Sequence, residues 1–231
     1  MKLPRNIIQI LSTLAICLAL TLTTVAQDEK LVGRINAGEP GAMLEAGRSG
    51  DQRLIPMLKN VARPHSVPQV NSDDVKGMNA QQVQSLKEAM WRPVYAEPSA
   101  ENARMALAKL GVKEYLDEIV LEATSPTNSP VYRERLEYRG SSTGAHDALM
   151  TQYYALKKLV YINNPSTIKY IASVLYDTYD PNKGNTGDVI WPVPAVEAAE
   201  TLHRILGTSP SDISDTAAWK KWWEQNKDKY P

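Results

Sequence analysis

An internal repeat in this sequence restricts the chain to a small group of folds. The repeat appears when three segments are aligned on Gly50, Gly111 and Asn163, which we call the centres of the repeat. In each segment small or apolar residues stand eight and four positions before the centre, and five, eight and twelve positions after it. Units of this kind bury their apolar faces against neighbouring copies, since one unit cannot bury its face alone. In chain order, the residues at the five offsets are Ala42, Ala46, Ile55, Leu58 and Ala62, then Ala103, Leu107, Leu116, Ile119 and Ala123, and finally Ala155, Leu159, Ile168, Ile171 and Leu175.

Each copy is predicted to be an αα-hairpin. Its apolar positions are spaced as on two amphipathic helices joined by a tight turn. Glycine or asparagine at the break tolerates the left-handed conformation that ends a helix, and Pro165 suits the first turn of the next helix. A fourth, less regular copy surrounds Gly207, with Ala199 at the recurring small position and a longer loop before TAAWKKWWEQNKDKY.

The copies are unequally spaced because extra segments separate them. These insertions are 64–98, 124–145 and 177–194. The first is rich in proline and contains NAQQVQSLKEAM, a predicted extra helix with Val83, Leu86 and Met90 on one side. Insertions into a repeat protein fall in the connections between units, often on the face that meets a ligand.

The repeat units resemble the HEAT-repeat family, especially its bacterial exported members. ENARMALAKLGVKEYLDEIVLEA is the most similar unit, RSGDQRLIPMLKNVA resembles the second helix of another, and AAWKKWWEQNKDKY looks like the tail of exported HEAT-like proteins. The resemblance implies a protein-binding scaffold; some relatives are bilin lyases, but nothing in this sequence singles out that chemistry. We predict an all-α fold over 27–231, a right-handed α-solenoid of about four HEAT-like αα-hairpins with loop insertions.

Residues 1–26, MKLPRNIIQILSTLAICLALTLTTVA, have the pattern of a signal peptide. A short basic start is followed by an apolar run and by small residues that end at Ala26. The predicted mature chain therefore begins at Gln27 and is exported, to the periplasm or outside the cell. An uncleaved membrane anchor is the alternative, because the apolar run is nearly long enough to span a bilayer.

Composition argues against several functional classes for the predicted mature chain. Cys17, the only cysteine, leaves with the signal peptide, so no disulfide or thiol chemistry is expected. Basic and acidic residues number 26 each, and loss of Lys2 and Arg5 leaves a small acidic excess, which does not favour nucleic acid or an anionic membrane as partner. The histidines lack metal-ligand spacing: His65, His146 and His203. We predict no cofactor, no metal and no membrane insertion after signal cleavage.

The motif G-x-S-x-G, within RGSSTGAHDALM, makes Ser142 a candidate hydrolase nucleophile. Such a serine needs a buried apolar strand before it, whereas the preceding VYRERLEYR carries charges that a central strand could bury only at large desolvation cost. Asp188 and His203 follow in triad order, but in a predicted loop and a predicted amphipathic helix. We predict a loop at Ser142 and no catalysis; a serine hydrolase is an alternative function.

The segment DPNKGNTGD is predicted to be a surface turn. Asp180, Asn182 and Asp188 offer oxygens to calcium, but no glutamate closes the loop and its glycines are misplaced for that pattern. His203 stands at a core-facing offset and is predicted to be a hydrogen-bonded helix residue.

The tryptophans of the last helix are predicted to cover the end of the core. Trp219, Trp222 and Trp223 fall at helical spacings of three and four, and the last unit of a repeat protein must cover the core beneath it. An aromatic docking surface is the alternative, which would make the protein a carbohydrate-binding module or a peptide binder.

The predicted partner is another protein or peptide, bound on a concave surface lined by the second helices. Polar residues of those helices are Gln52, Lys59, Lys113, Asp117, Lys169 and Ser173. Six tyrosines crowd the third copy, more than its core positions require, and tyrosine is enriched at interfaces. The predicted binding residues are Lys113, Asp117, Tyr153, Tyr154, Tyr161, Lys169, Tyr170, Tyr176 and Tyr179.

Overall fold

The computed structural model describes residues 29–62, 75–83, 85–86, 98–133, 144–184, 186–187, 189–208, 210 and 212–231. Regular structure in this part of the chain is helical, without strands, which confirms the all-α prediction there. The main helices are α1 (29–36), α2 (Pro40–Ser49), α3 (Ile55–Ala62), α4 (Pro98–Lys109), α5 (Lys113–Thr124), α6 (Gly144–Ile162), α7 (Ile168–Val174), α8 (Pro194–Leu206) and α9 (Thr216–Asn226). The predicted signal peptide, His65, Met90, Ser142 and Asp188 lie outside the described residues.

Shorter helical pieces lie between and after these helices, among them residues 130–133. Three-residue 3-10 helices are Gln52–Leu54, Pro126–Asn128, Pro165–Thr167 and Lys227–Lys229. The extra helix predicted in the first insertion is present over 80–83 and 85–86, where Val83 and Leu86 are half-buried. The third insertion is irregular in its described residues, with a turn at 181–184, as predicted.

Left-handed residues end the first helix of each repeat unit. The helix pairs α2/α3, α4/α5, α6/α7 and α8/α9 change direction at Gly50, Gly111, Asn163 and Gly207, whose φ angles are 73°, 86°, 50° and 67°. Asn163 is the sole non-glycine residue with positive φ among the residues that the structure describes. The prediction that these residues end helices in the left-handed conformation is confirmed.

Short polar side chains start the helical segments after three of these turns. The Asp51 carboxylate accepts a hydrogen bond from the Arg53 backbone N–H at 3.0 Å, and Asn164 accepts one from Ser166 at 3.0 Å. Asp215 accepts one from the Ala218 backbone N–H at 2.9 Å. Each bond satisfies a donor that has no partner within its own helix.

The repeat positions form the core. The recurring alanines Ala42, Ala103, Ala155 and Ala199 are all fully buried. Leu58, Ile119 and Ile171, eight residues after the first three centres, are buried as well, whereas Ile55 and Leu116 are half-buried. The buried residues form two clusters, and Tyr115 packs against both. Consecutive helix pairs therefore share an apolar core, as the repeat predicts.

Helices of neighbouring pairs lie against one another along the chain. Helix α4 contacts α2 and α3, α6 contacts α4 and α5, α7 contacts α5, and α8 contacts α6 and α7. Gly47 makes one approach possible: a Cβ there would lie only 2.9 Å from the Ala106 Cα and would also collide with the Tyr161 hydroxyl. Helices α2 and α4 can thus meet backbone to backbone only because residue 47 is glycine.

The last helix covers the core beside α8. Trp219 is fully buried, and its indole N–H donates to the Ile213 carbonyl at 3.1 Å. Trp222 and Trp223 are partly buried and pack against the same core, with Tyr230 beside both rings. The interpretation of the tryptophans as core-covering residues is confirmed by this burial. None of the helices in the described residues is long and apolar enough to cross a membrane.

Candidate protein-binding surface

The six tyrosines around the third repeat unit do not form one cluster. Tyr153, Tyr154 and Tyr161 belong to α6, Tyr170 belongs to α7, and Tyr176 and Tyr179 follow α7. Their exposures also differ, since Tyr154, Tyr170, Tyr176 and Tyr179 are exposed by 52%, 42%, 45% and 50% while Tyr153 and Tyr161 are half-buried. The predicted set therefore divides by helix and by burial.

Tyr161 is a packing residue. Its hydroxyl donates to the Leu44 carbonyl at 2.7 Å, which ties α6 to α2. The charged groups of Arg48 and Lys109 lie 5.5 Å and 5.2 Å from its ring centre. Burial raises the pKa of Tyr161 to about 12. This side chain holds repeat units together and offers little surface to a partner.

Tyr154, but not its neighbour Tyr153, lines a cleft between the second and third helix pairs. Their rings meet edge to face at 5.2 Å, and the Lys157 ammonium lies 5.0 Å from the Tyr153 ring centre. The cleft has a volume of about 350 Å³. Its lining residues are Glu101, Arg104, Met105, Glu122, Val131, Thr151, Tyr154, Lys157 and Lys158.

Charged groups at this cleft pair with one another. Glu122, only 2% exposed, accepts hydrogen bonds from Lys158 at 2.7 Å and from Arg104 at 3.3 Å. Arg104 also pairs with Glu118 at 3.0 Å, and Lys158 pairs with Glu101. Burial lowers the pKa of Lys158, but the carboxylates of Glu101 and Glu122 outweigh it and raise the pKa overall. These paired charges join α4, α5 and α6.

A second surface is formed by residues of the second helices and of the segment directly after α7, and we call it the second-helix surface. It consists of Lys113, Asp117, Lys169, Tyr170, Tyr176, Lys220 and Glu224. Tyr179 lies three residues further along the chain than Tyr176, and its backbone N–H donates to Asp177. Lys113 and Asp117 on α5 pair at 2.5 Å, and this hydrogen bond raises the pKa of Lys113. The Tyr176 hydroxyl donates to the Glu224 carboxylate of α9 at 2.7 Å. The surface thus runs across α5, α7 and α9.

Two lysines of the second-helix surface contact aromatic rings. The ammonium groups of Lys169 and Lys220 lie 5.3 Å and 5.5 Å from the ring centres of Tyr170 and Tyr176. Neither lysine has a carboxylate within 4.0 Å in the part of the chain that the structure describes. A lysine over a tyrosine ring keeps its ammonium accessible, so it can still meet an anion.

The surface carboxylates, in contrast, are engaged. Asp117 accepts from Lys113, and Glu224 accepts from Tyr176 and, at 2.8 Å, from Lys227. Hydrogen bonds from Lys227 and Tyr176 lower the pKa of Glu224, whereas the Glu224 contact raises the pKa of Tyr176. Asp177 and Asp180, beside Tyr176 and Tyr179, accept backbone N–H groups of their own segment.

Other residues predicted on the second helices are held by hydrogen bonds or ion pairs. Gln52 donates to the Leu110 carbonyl at 3.1 Å, and Ser173 donates to the Tyr170 carbonyl at 2.6 Å. Lys59 and Glu114 lie 3.9 Å apart, one on α3 and the other on α5. Gln52 and Lys59 thus contribute to joining neighbouring units.

The remaining chemical candidates have structural partners. His203 Nδ1 donates to the Thr208 carbonyl at 3.0 Å, which confirms it as a hydrogen-bonded helix residue. The side-chain amide of Asn182 donates to the Trp191 carbonyl and accepts from the Trp191 backbone N–H, both at 2.8 Å. These two hydrogen bonds fix the loop before α8. Within the described residues no group of three His, Cys, Asp or Glu side chains could hold a metal ion.

Lys220 and Glu224 are the surface residues that the sequence did not indicate. In their helix the sequence pattern indicated the tryptophans, although Lys220 and Glu224 stand on its polar side at positions four apart. Their contacts with Tyr176 depend on the position of α9 beside the end of α7. A local sequence pattern does not specify that position. No protein-family model, curated protein or solved structure matches the chain.

Proposed function

We propose that this chain is an exported, non-catalytic HEAT-like repeat protein that binds another protein or peptide. In this proposal its helix pairs stack as an α-solenoid, and the second-helix surface is the binding face. The burial of the same repeat offsets in successive pairs supports this arrangement, because stacking of equivalent units produces such a pattern.

One observation carries the binding proposal: Tyr170 and Tyr176 are large exposed aromatics on a surface shared by α5, α7 and α9, with lysines beside them. Tyrosine offers a partner a large contact area at low cost in conformational entropy, and it is enriched at protein interfaces. The extended surface on successive helices suits an elongated partner better than a small molecule.

A non-catalytic role is supported by the surroundings of His203. In a serine hydrolase triad the histidine Nδ1 donates to a carboxylate, which fixes the ring for proton transfer. Here the same nitrogen donates to the Thr208 carbonyl, and the residue is a partly exposed member of α8. Export is proposed from the signal-peptide pattern of residues 1–26 alone.

Site-specific photocrosslinking tests the proposed face. A benzoylphenylalanine at Tyr176 should crosslink a discrete protein in native envelope extract, and unmodified protein added in excess should abolish that band. The same group at Tyr154 is the matched control, since Tyr154 is similarly exposed but lies at the cleft beside α6. Crosslinking at Tyr154 with none at Tyr176 would move the binding site away from the second-helix surface.

A further inference from the structure

We propose that the cleft between the second and third helix pairs binds a small organic cation, with an ammonium or guanidinium group on an apolar body. The residues that line this cleft are separate from the second-helix surface, so the site is additional to the proposed protein-binding face. Its volume of about 350 Å³ lies within the usual range of small-molecule sites, roughly 300–1,000 Å³.

Carboxylates outnumber cations at this cleft. Every cationic side chain that lines it lies within 4.0 Å of at least two carboxylates. The cations are Arg104, Lys157 and Lys158, and the carboxylates belong to Glu101, Glu118, Glu122, Glu197 and Glu200. An anion entering the cleft therefore meets cations that already have partners.

Other charged residues close to the lining residues in sequence do not change this balance. Asp147 stands one turn before Thr151 on α6, and Arg133 stands two residues after Val131. Their charges have opposite signs, and the Arg133 guanidinium donates to the Asn128 carbonyl at 2.6 Å. The excess of negative charge at the cleft therefore remains.

The electrostatic potential at the lining cations is correspondingly negative. Burial acts to lower the pKa of Arg104, Lys157 and Lys158, because a low-dielectric surrounding disfavours the charged form. The neighbouring carboxylates outweigh burial and raise the pKa of all three side chains overall. A cleft with this potential attracts a cation and repels an anion.

Part of the negative charge is accessible to a ligand. Glu101 lines the cleft, and Glu118 beside it keeps 42% of its side chain exposed. A carboxylate has about four lone-pair sites, and in the described chain the ion pair of Glu118 is with Arg104 alone. Glu118 can therefore accept further hydrogen bonds from an ammonium or guanidinium group.

The other walls of the cleft suit the apolar body of an organic cation. Tyr154 lines the cleft and is half exposed, and the face of a tyrosine ring attracts a cation. Met105 and Val131 line it as well and are half-buried, so they offer apolar contact. A metal ion would not use these groups, and no cluster of metal-ligating side chains is present in the part of the chain that the structure describes.

Isothermal titration calorimetry with three small probes tests this inference on the purified protein. The probes are hexylammonium, hexanol and hexanoate, which share one alkyl chain and differ in charge. We expect hexylammonium to bind about tenfold more tightly than hexanol, and its affinity to fall with added salt. Hexanoate should bind more weakly than hexanol.

Variants of opposite charge effect distinguish this site from general attraction. Glu118→Gln should weaken hexylammonium binding about threefold, whereas Lys157→Gln should strengthen it by a similar factor, because it removes a cation from the cleft. Tyr154→Leu should weaken binding about threefold through loss of the aromatic face. Helical circular dichroism should stay constant in each variant.

Two control variants remove the same charges away from the cleft. Glu45→Gln is the control for Glu118→Gln, since Glu45 is 53% exposed and also pairs with a single arginine. Lys183→Gln, at an exposed position of the third insertion, is the control for Lys157→Gln. Both should leave the affinity for hexylammonium unchanged. Equal affinity for hexylammonium and hexanol, equal effects of the Glu45 and Glu118 substitutions, or weaker binding by Lys157→Gln would overturn the inference.

Discussion

Replacement of Trp219 by alanine measures how much the last helix contributes to stability. The side chain is fully buried against the core of α7 and α8, with the Trp222 ring at 5.5 Å. Burial of about 150–250 Å² of aromatic side chain at about 25 cal/mol per Å² corresponds to about 4–6 kcal/mol of transfer free energy. Because alanine retains part of this and the cavity relaxes in part, we expect a loss of about 3–5 kcal/mol in the free energy of unfolding.

Urea denaturation followed by circular dichroism is the assay, with thermal melting as a second measurement. For a domain of this size the loss corresponds to a decrease of roughly 6–20 °C in Tm. Trp219→Phe is the control: it keeps most of the apolar contact but loses the indole hydrogen bond to Ile213, and should cost about 1–2 kcal/mol. A loss below about 1 kcal/mol in Trp219→Ala would refute the view that this helix covers the core.

Three further predictions concern ionisable and candidate catalytic groups. Glu122→Gln should reduce the free energy of unfolding by about 3–5 kcal/mol, because Lys158 and Arg104 each lose a carboxylate partner in a buried network. The control is Glu224→Gln at an exposed position, which should reduce it by less than about 1 kcal/mol in the same urea titration. The folded-state pKa of Tyr161, about 12, exceeds its unfolded value of about 10, so this residue's contribution to stability is complete below about pH 10 and is lost as pH rises towards 12. Tyr161→Phe should show a smaller fall in stability over that pH range, and an identical fall would contradict the assignment. A fluorophosphonate probe should leave Ser142 unlabelled by mass spectrometry, and stoichiometric labelling lost in Ser142→Ala would establish a hydrolase.

The repeat pattern predicted the core because it depends on local spacing. A residue at a fixed offset from a helix-ending glycine or asparagine faces the same direction in each unit, so Ala42, Ala103 and Ala155 are buried alike. The turns were predictable for a similar reason, since few residues adopt a positive φ without strain. Both kinds of prediction need only sequence positions within one unit.

The division of the tyrosines needed information from distant parts of the chain. Tyr154 and Tyr161 are seven residues apart and share a face of α6, yet Tyr161 is half-buried because Gly47 and Leu44 of α2 lie over that end of the helix. Glu122 is similar: its burial is tolerable only because Arg104 and Lys158 reach it from other helices. Contacts between units of this kind leave no local periodic signal.

Single alanine substitution of the six tyrosines tests whether the second-helix surface is the binding face, with helical circular dichroism and partner capture measured for each variant. The captured species is the protein that crosslinks at Tyr176. We predict that Tyr161→Ala destabilises the fold, whereas Tyr170→Ala and Tyr176→Ala leave the helical signal unchanged and weaken capture several-fold. If each of the six substitutions either unfolds the protein or leaves capture unchanged, the tyrosines are ordinary packing residues and the second-helix surface is not the binding face.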